Sequence, residues 1–324
     1  MNHRLWTISY KLSTVNNPIQ KISLLGFLIT IGGAIFFSTK AIFVKLAFQE
    51  TKVNALTLLS LRMLFSLPFY IIAAWIAGRK NEVKPLTQRQ WIWIMLMGIF
   101  GYYLSSLFDF IGLQYVSAGL ERLILFLYPT FAVLINTFYF KTRLSRVQVA
   151  ALVLTYIGIG IAYWGEICSA QYGPQFFYGS FMIFLCAITY SFYLVGTGRL
   201  VNSVGATRYT AYAMLTATAG IFIHYIIEQP LTGFQLNTSL AVYGIALAVI
   251  ATVLPSFMMS VGMKKIGSNN VAIITSIGPV STILQAHFFL GESIIIEQII
   301  GTILVIIGVL LIGWQSKVAG EPNQ

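Results

Sequence analysis

The chain has 324 residues, of which 57% are hydrophobic and only 9% are charged, and its mean hydropathy is +0.81. In a soluble domain roughly a quarter of the residues are charged, so this composition excludes an ordinary soluble protein. The net charge of +11 would suit a nucleic-acid partner. However, the basic residues lie between hydrophobic segments rather than in one patch, and we expect no nucleic-acid partner.

Hydrophobic segments of about twenty residues recur along the whole chain, and each is long enough to cross ~30 Å of hydrocarbon as an α-helix. We predict ten membrane-spanning helices, at residues 22–48, 54–77, 91–116, 119–140, 146–165, 177–198, 207–228, 237–262, 268–290 and 294–314. The expected fold class is therefore an all-α integral membrane protein in contact with the lipid bilayer.

The distribution of basic residues predicts the orientation of the chain. Residues 1–21 lack an apolar core followed by a cleavage site, which is typical of a cytoplasmic tail rather than a signal peptide. With this tail inside, fifteen of the twenty lysines and arginines face the cytoplasm, and only Lys52 faces the other side. The positive-inside rule then puts both termini, including a second tail at 315–324, in the cytoplasm. We expect a multi-pass protein of the inner (plasma) membrane.

A segment of the first half of the chain recurs in the second half. The shared residues lie 150 positions apart without a gap, and they include Pro129/Pro279, Gln148/Gln298, Gly158/Gly308 and Trp164/Trp314. We therefore predict two repeats, at 22–165 and 177–314, with five helices each. An odd number of spans turns the second repeat upside down relative to the first, which is a known architecture of secondary transporters.

Prolines lie inside several predicted spans, where each removes a backbone donor and tends to kink the helix. For Pro68 and Pro255, simple tolerance by neighbouring helices is an equally good interpretation. Pro129 and Pro279, which follows Gly278, occupy equivalent points of the fourth and ninth spans. Paired breaks in corresponding spans point to a central binding site, so we predict that these three residues line it.

Charged side chains also lie within predicted spans, although placing one at the bilayer centre costs on the order of 2.5–3.5 kcal/mol on insertion scales. Lys40 and Asp109 have similar predicted depth and opposite charge, so a buried pair is expected. It is either a fixed structural pair or one in which Asp109 changes protonation during transport. For Arg62, a structural pairing and a role in the cavity remain equally good interpretations. Lys45 lies near a span end, where it can reach the headgroups.

Glu121 and Arg122 open the fourth span. Adjacent residues point about 100° apart on a helix, so the two cannot pair face to face. Glu121 is favoured by the helix dipole at this end. The alternative is a gate at the external mouth, in which both residues exchange ion-pair partners.

Polar residues of the spans could line a cavity, although most such residues only pack against or satisfy their neighbours. Tyr102 and Tyr190 are the candidates that we select for substrate contact. Two cysteines and three histidines are too few for a recognisable zinc site. The phosphate-binding, metalloprotease and serine-nucleophile motifs are absent from the sequence, so we expect no metal, cofactor or catalytic residue.

Several short motifs, in order and duplicated, resemble the drug/metabolite transporter superfamily, EamA type, over about residues 22–314. One motif runs from Phe37 to Ala47, and others are Leu61-Arg62-Met63-Leu64, Tyr128-Pro129-Thr130, Gly278-Pro279-Val280 and Leu290-Gly291-Glu292. The resemblance implies export of small metabolites, such as amino acids or related compounds. One departure is Thr142, which stands where the repeat would place the first-half equivalent of Glu292.

The leading hypothesis is a secondary active transporter that works by alternating access between the two inverted repeats. Its partners would be a small-molecule substrate and, as a candidate coupling ion, the proton. The excess of basic residues within the spans favours a substrate with an anionic group. A polytopic membrane enzyme and a facilitative channel are the alternatives. The sequence does not identify the substrate, the coupling ion or the oligomeric state.

Overall fold

The computed structural model describes residues 24–79, 85–140, 146–169, 173–228, 237–266, 271 and 274–319, and in these residues the protein contains helices and no strand. The helices are α1 (Leu24–Thr51), α2 (Ala55–Gly78), α3 (Gln88–Gly98), α4 (Ser105–Leu113), α5 (Ala118–Leu125), α6 (Tyr128–Phe140), α7 (Arg146–Ser169), α8 (Phe176–Val204), α9 (Ala206–Glu228), α10 (Thr238–Ala248), α11 (Leu254–Ile266), α12 (Gly278–Leu290) and α13 (Ile296–Ala319). Two π-helical turns, Ile99–Leu104 and Val249–Val253, join α3 to α4 and α10 to α11.

Eight helical segments of the described residues are long and apolar enough to cross a membrane, and they correspond to the first eight predicted spans. The ninth predicted span, 268–290, lies partly outside the described residues. The tenth is present as α13, whose described apolar part is the shorter Ile296–Leu311. The prediction of an all-α membrane protein is thus confirmed, whereas the count of ten spans stays a prediction.

The secondary structure repeats with the same offset of 150 residues as the sequence. The bounds of α3, α6 and α7 recur 150 positions later as the bounds of α10, α12 and α13. The two π-helical turns begin at equivalent residues, Ile99 and Val249, and equivalent side chains of Thr87 and Asn237 cap α3 and α10. The repeat therefore extends to helix ends and to local irregularities of the helices.

Contacts between the helices follow the same pattern. Helix α1 packs on α11 and α12, and its counterpart α8 packs on α4 and α6. Helix α2 packs on its own counterpart α9, and α7 packs on its counterpart α13. The first helix of each half thus lies against the other half, so the two halves are interlocked rather than side by side.

Small residues explain the close packing of α7 on α13. A Cβ atom added to Gly158 would lie 2.7 Å from the Gly301 carbonyl oxygen, and one added to Gly308 would lie 2.7 Å from the Ala151 carbonyl oxygen. Small side chains let helix backbones approach closely, which is a common basis of helix association in membranes. This contact accounts for the repeated glycine at positions 158 and 308.

Both halves contain a break before a proline. Helix α5 ends at Leu125 and α6 begins at Tyr128, so Pro129 lies in the first turn of α6. Helix α12 begins at Gly278, directly before Pro279, and no side chain caps it. A proline suits the first turn because the backbone N–H that it lacks would have no partner inside the helix.

Candidate functional site

A buried ion cluster joins three helices of the first half. The ammonium of Lys40, on α1, lies 2.7 Å from Oδ2 of Asp109, on α4, and 3.6 Å from Oε1 of Glu121, on α5. The side chains of Asp109 and Glu121 are 1% and 0% exposed, and that of Lys40 is 11% exposed. Two carboxyl groups thus share one ammonium away from solvent. We call Lys40, Asp109 and Glu121 the ion cluster.

Glu121 and Arg122 do not lie at an open mouth, although the sequence suggested a gate there. Both are buried, and they diverge as adjacent helical residues must, so Glu121 reaches the ion cluster while Arg122 does not. The Arg122 guanidinium lies over the ring of Phe126 at 5.7 Å and against the start of α12. A Cβ atom added to Gly278 would lie 2.8 Å from Nη2 of Arg122, which explains a glycine there.

Arg62 forms no ion pair with the ion cluster, although its guanidinium lies within electrostatic reach of Asp109. Its Nη2 atom donates to the hydroxyl of Ser106, on α4, at 2.9 Å, and its guanidinium lies 5.1 Å from the ring centre of Phe110. Within the described residues, no carboxylate comes within 4.0 Å of Arg62. The partners of Arg62 are therefore a neutral hydroxyl group and an aromatic ring.

Lys45 contacts polar groups of the protein near the end of α1. Its ammonium donates to the Val116 carbonyl at 2.6 Å and lies 3.7 Å from Oε1 of Glu292. The Glu292 carboxylate accepts from the backbone N–H groups of Ala118, at 3.0 Å, and Gly119, at 3.5 Å. An acidic side chain is stabilised at a helix N-terminus, so Glu292 caps α5 across the two halves.

A cavity of about 400 Å³ opens beside this cap, with Lys45, Gln49, Gln114, Ser117 and Glu292 among its lining residues. We call it the vestibule. Its lining includes polar side chains, a positive charge on Lys45 and a negative charge on Glu292. Ser117 is also the N-cap of α5. The vestibule thus ends at the helix that carries Glu121.

Tyrosines of both halves pack against one another. The hydroxyls of Tyr102 and Tyr193 lie 2.8 Å apart, and Tyr190 packs on Tyr193 and, edge to face, on Tyr128. Tyr190 stands 150 residues after Lys40, so the two occupy equivalent positions of α8 and α1. The counterpart of Lys40 is thus aromatic, and those of Asp109 and Glu121 are Met259 and Val271, so the second half lacks an equivalent ion cluster.

Sequence reasoning missed three features of the site. Glu292 as the cap of α5 joins residues 174 positions apart. The π-helical turns, one of which carries Tyr102, have no simple periodic signal. The thiol of Cys186, on α8, lies within electrostatic reach of all three members of the ion cluster. Within the described residues, no group of histidine, cysteine or acidic side chains is placed to hold a metal ion.

Comparison with known proteins matches this architecture to one family. A sequence profile described as the EamA-like transporter family matches residues 24–164 and, a second time, residues 177–314. The chain belongs to the EamA-like transporter family. The resemblance seen in the sequence is thereby confirmed, and membership of this family identifies the protein as a membrane transporter.

Curated relatives of this EamA-like chain carry the same general description. The uncharacterized transporter YcbK of Bacillus subtilis is 30% identical over 277 residues, which cover 83% of this chain and 86% of the relative. An uncharacterized transporter of Synechocystis is 24% identical and covers 92% of this chain and 96% of its own length. Neither description names a substrate.

A solved structure, described only as the crystal structure of a protein, matches the fold of this EamA-like transporter. It has a TM-score of 0.63 and 19% sequence identity, and the match covers 91% of this chain and 98% of that one. At this identity the likeness supports the fold and no particular activity.

Proposed function

We propose that the protein is a secondary active transporter that exports a small metabolite, such as an amino acid or a related compound, by alternating access. One observation carries the proposal. The breaks before Pro129 and before Pro279 lie 150 residues apart, at the starts of equivalent helices α6 and α12. Discontinuous helices at equivalent points of two repeats are typical of transporter substrate sites.

The mechanism follows from the repeat. Five predicted spans in each half would give the two copies opposite orientations in the membrane. Because α1 and α8 each pack on the other half, a rocking motion of one half against the other would move both breaks together. The substrate would then be exposed to one side of the membrane at a time.

The substrate would contact residues around the breaks. Arg122 forms no ion pair within the described residues, and it lies at the uncapped N-terminus of α12. A guanidinium and a helix N-terminus both favour an anionic group, which supports a substrate that carries a carboxylate. Lys40, Asp109 and Glu121 would respond to its charge, while Tyr102 and Tyr190 would contact its less polar part.

The location would be the inner membrane, with both termini in the cytoplasm. Proteins of the bacterial outer membrane are barrels of β-strands, whereas the described residues of this chain form helices. The relatives from Bacillus subtilis and Synechocystis are bacterial. The excess of basic residues in the predicted cytoplasmic loops supports the orientation.

A metabolite screen followed by counterflow tests this function. Metabolites that raise the unfolding temperature of the purified protein are tested in proteoliposomes loaded with the unlabelled compound. A carrier accumulates external labelled compound transiently inside such vesicles. Flux without this exchange would favour a channel, and chemical conversion without net movement would favour an enzyme; either result would overturn the proposal.

A further inference from the structure

The ion cluster holds more acid than base at short range. Lys40 supplies one ammonium within 4.0 Å, while Asp109 and Glu121 supply two carboxyl groups. The two carboxyl groups also lie close enough for a hydrogen bond between them. Two buried like charges at such a distance repel strongly, so a pair of carboxylates there holds one proton in common.

The geometry distinguishes the two acids. Asp109 makes the shorter contact with the Lys40 ammonium, at 2.7 Å, whereas Glu121 is 3.6 Å away. Apart from the Lys40 ammonium, no N–H or O–H donor of the described residues bonds to the oxygens of either acid, so the distance to this ammonium is what distinguishes them. A buried carboxylate without donors is costly, so a proton on Glu121 relieves the larger penalty.

Other charged groups lie around α5, and of these Arg122 and Lys45 are within electrostatic reach of Glu121 although their closest contacts are elsewhere. Arg122, beside Glu121, points to the start of α12, and Lys45 of α1 is held by Val116 and Glu292. Cys186 of α8 contributes a thiol near the cluster. The remaining groups on helices packed against α5 are Glu166 of α7, within electrostatic reach of Lys45, His287 of α12, which contacts the Glu292 carbonyl, and Glu297 of α13, against Gly165.

We propose that Glu121 is a proton-binding site, whose bound proton is donated to the Asp109 carboxylate in a hydrogen bond. Asp109 then remains the ionised partner of Lys40. The step is a proton transfer only: a carboxylate of Glu121 and one proton form the neutral acid, and release restores both. This inference rests on the proposed function, because transport would be coupled to protons when substrate binding changes the partners of Lys40.

The vestibule is a polar cavity that reaches the helix of Glu121. Ser117 lines the vestibule, and its carbonyl accepts the backbone N–H of Glu121 at 3.0 Å. Glu121 therefore lies one helical turn inside the wall of a polar cavity. A small displacement of α5, whose N-terminus is held by Glu292, would bring its carboxyl group into contact with water.

Infrared spectroscopy of the purified protein tests the site without a substrate. We expect a band of a protonated carboxyl group at neutral pH, lost in Glu121→Gln. Glu292→Gln is the matched control, because that carboxylate already has backbone and lysine donors, and the band should remain. A wild-type spectrum without this band at neutral pH, or a band retained in Glu121→Gln, would overturn the proposal.

Isotope labelling gives a second measurement that needs no variant. Asp109 is the only aspartate of the chain. Cell-free synthesis with aspartate that carries ¹³C in its side-chain carboxyl group, without metabolic conversion to glutamate, therefore changes the carboxyl frequency at one residue. We expect the protonated band to keep its frequency, and a shifted band would place the proton on Asp109 and refute its assignment to Glu121.

Transport assays distinguish a failure of the proton-binding proposal from a failure of the proposed transporter function. Glu121→Gln should lose the stimulation of accumulation by a pH gradient, measured relative to the counterflow rate of the same variant. Full pH-driven accumulation in this variant would refute coupling through Glu121. Absence of counterflow in the wild type, with the infrared band present, would refute the transporter function and leave the proton-binding site intact.

Discussion

Replacement of Lys40 by methionine should destabilise the protein strongly, because it leaves a buried carboxylate without its counter-charge. At the observed separation of 2.7 Å between Lys40 and the ionised Asp109, Coulomb attraction is about 6 kcal/mol at an effective dielectric constant of about 20. Desolvation offsets much of this attraction. Removing one partner of a buried pair typically costs about 3–5 kcal/mol, which is the loss that we expect.

The double variant Lys40→Met/Asp109→Asn makes this prediction specific. If Glu121 is neutral, the double variant contains no uncompensated charge in the ion cluster and should recover most of the lost stability. The free energy of unfolding is measured by titration with sodium dodecyl sulfate in mixed micelles. Lys52→Met, at an exposed lysine, should change it by about 0.5 kcal/mol or less. Additive losses from the two single variants would refute the reasoning.

Three further predictions concern packing and the vestibule. Gly158→Val should cost about 1–3 kcal/mol of unfolding free energy by overpacking α7 against α13, whereas Gly160→Val, at a glycine whose added Cβ meets no atom within 4 Å, should not. Glu292→Ala should remove the cap of α5, loosen the contact of α5 with α8 and so speed thiol labelling of Cys186 in a background without the other cysteine. Unchanged labelling would mean that the cap does not limit access to Cys186. Tyr102→Phe should cost about 1 kcal/mol in the same unfolding assay, because it removes the bond between two hydroxyls, and a neutral result would mean that the bond contributes nothing.

The repeated features were the most predictable part of the fold. Pro129 and Pro279 marked the breaks because a proline affects its helix through local backbone chemistry. The repeated glycines served in the sequence only as evidence of the repeat, and their role in the α7–α13 contact became visible in the structure. Lys40 and Asp109 could be paired from sequence because depth along a span follows from counting residues.

The contribution of Glu121 could not be predicted in the same way. The direction of the Glu121 side chain depends on the orientation of α5 relative to α1 and α4. Counting residues does not predict this orientation, because α5 ends at a break after only eight residues. The cap by Glu292 depends on contact between distant parts of the chain. An interfacial role for Lys45 follows from its position near a span end. Its contacts with the Val116 carbonyl and with Glu292 depend on the folded structure and have no signal in the sequence.

Inversion of the two repeats is the claim on which alternating access depends, and two equivalent positions test it. Cys168, which is exposed near the end of α7, and residue 318, which lies 150 positions later, should face opposite sides of the membrane. A membrane-impermeant maleimide is applied to intact cells that carry either Cys168 or Val318→Cys as the only cysteine. We predict that Cys168 is labelled in intact cells and that the cysteine at 318 is labelled only after permeabilisation. Labelling of both from the same side would contradict the inverted arrangement.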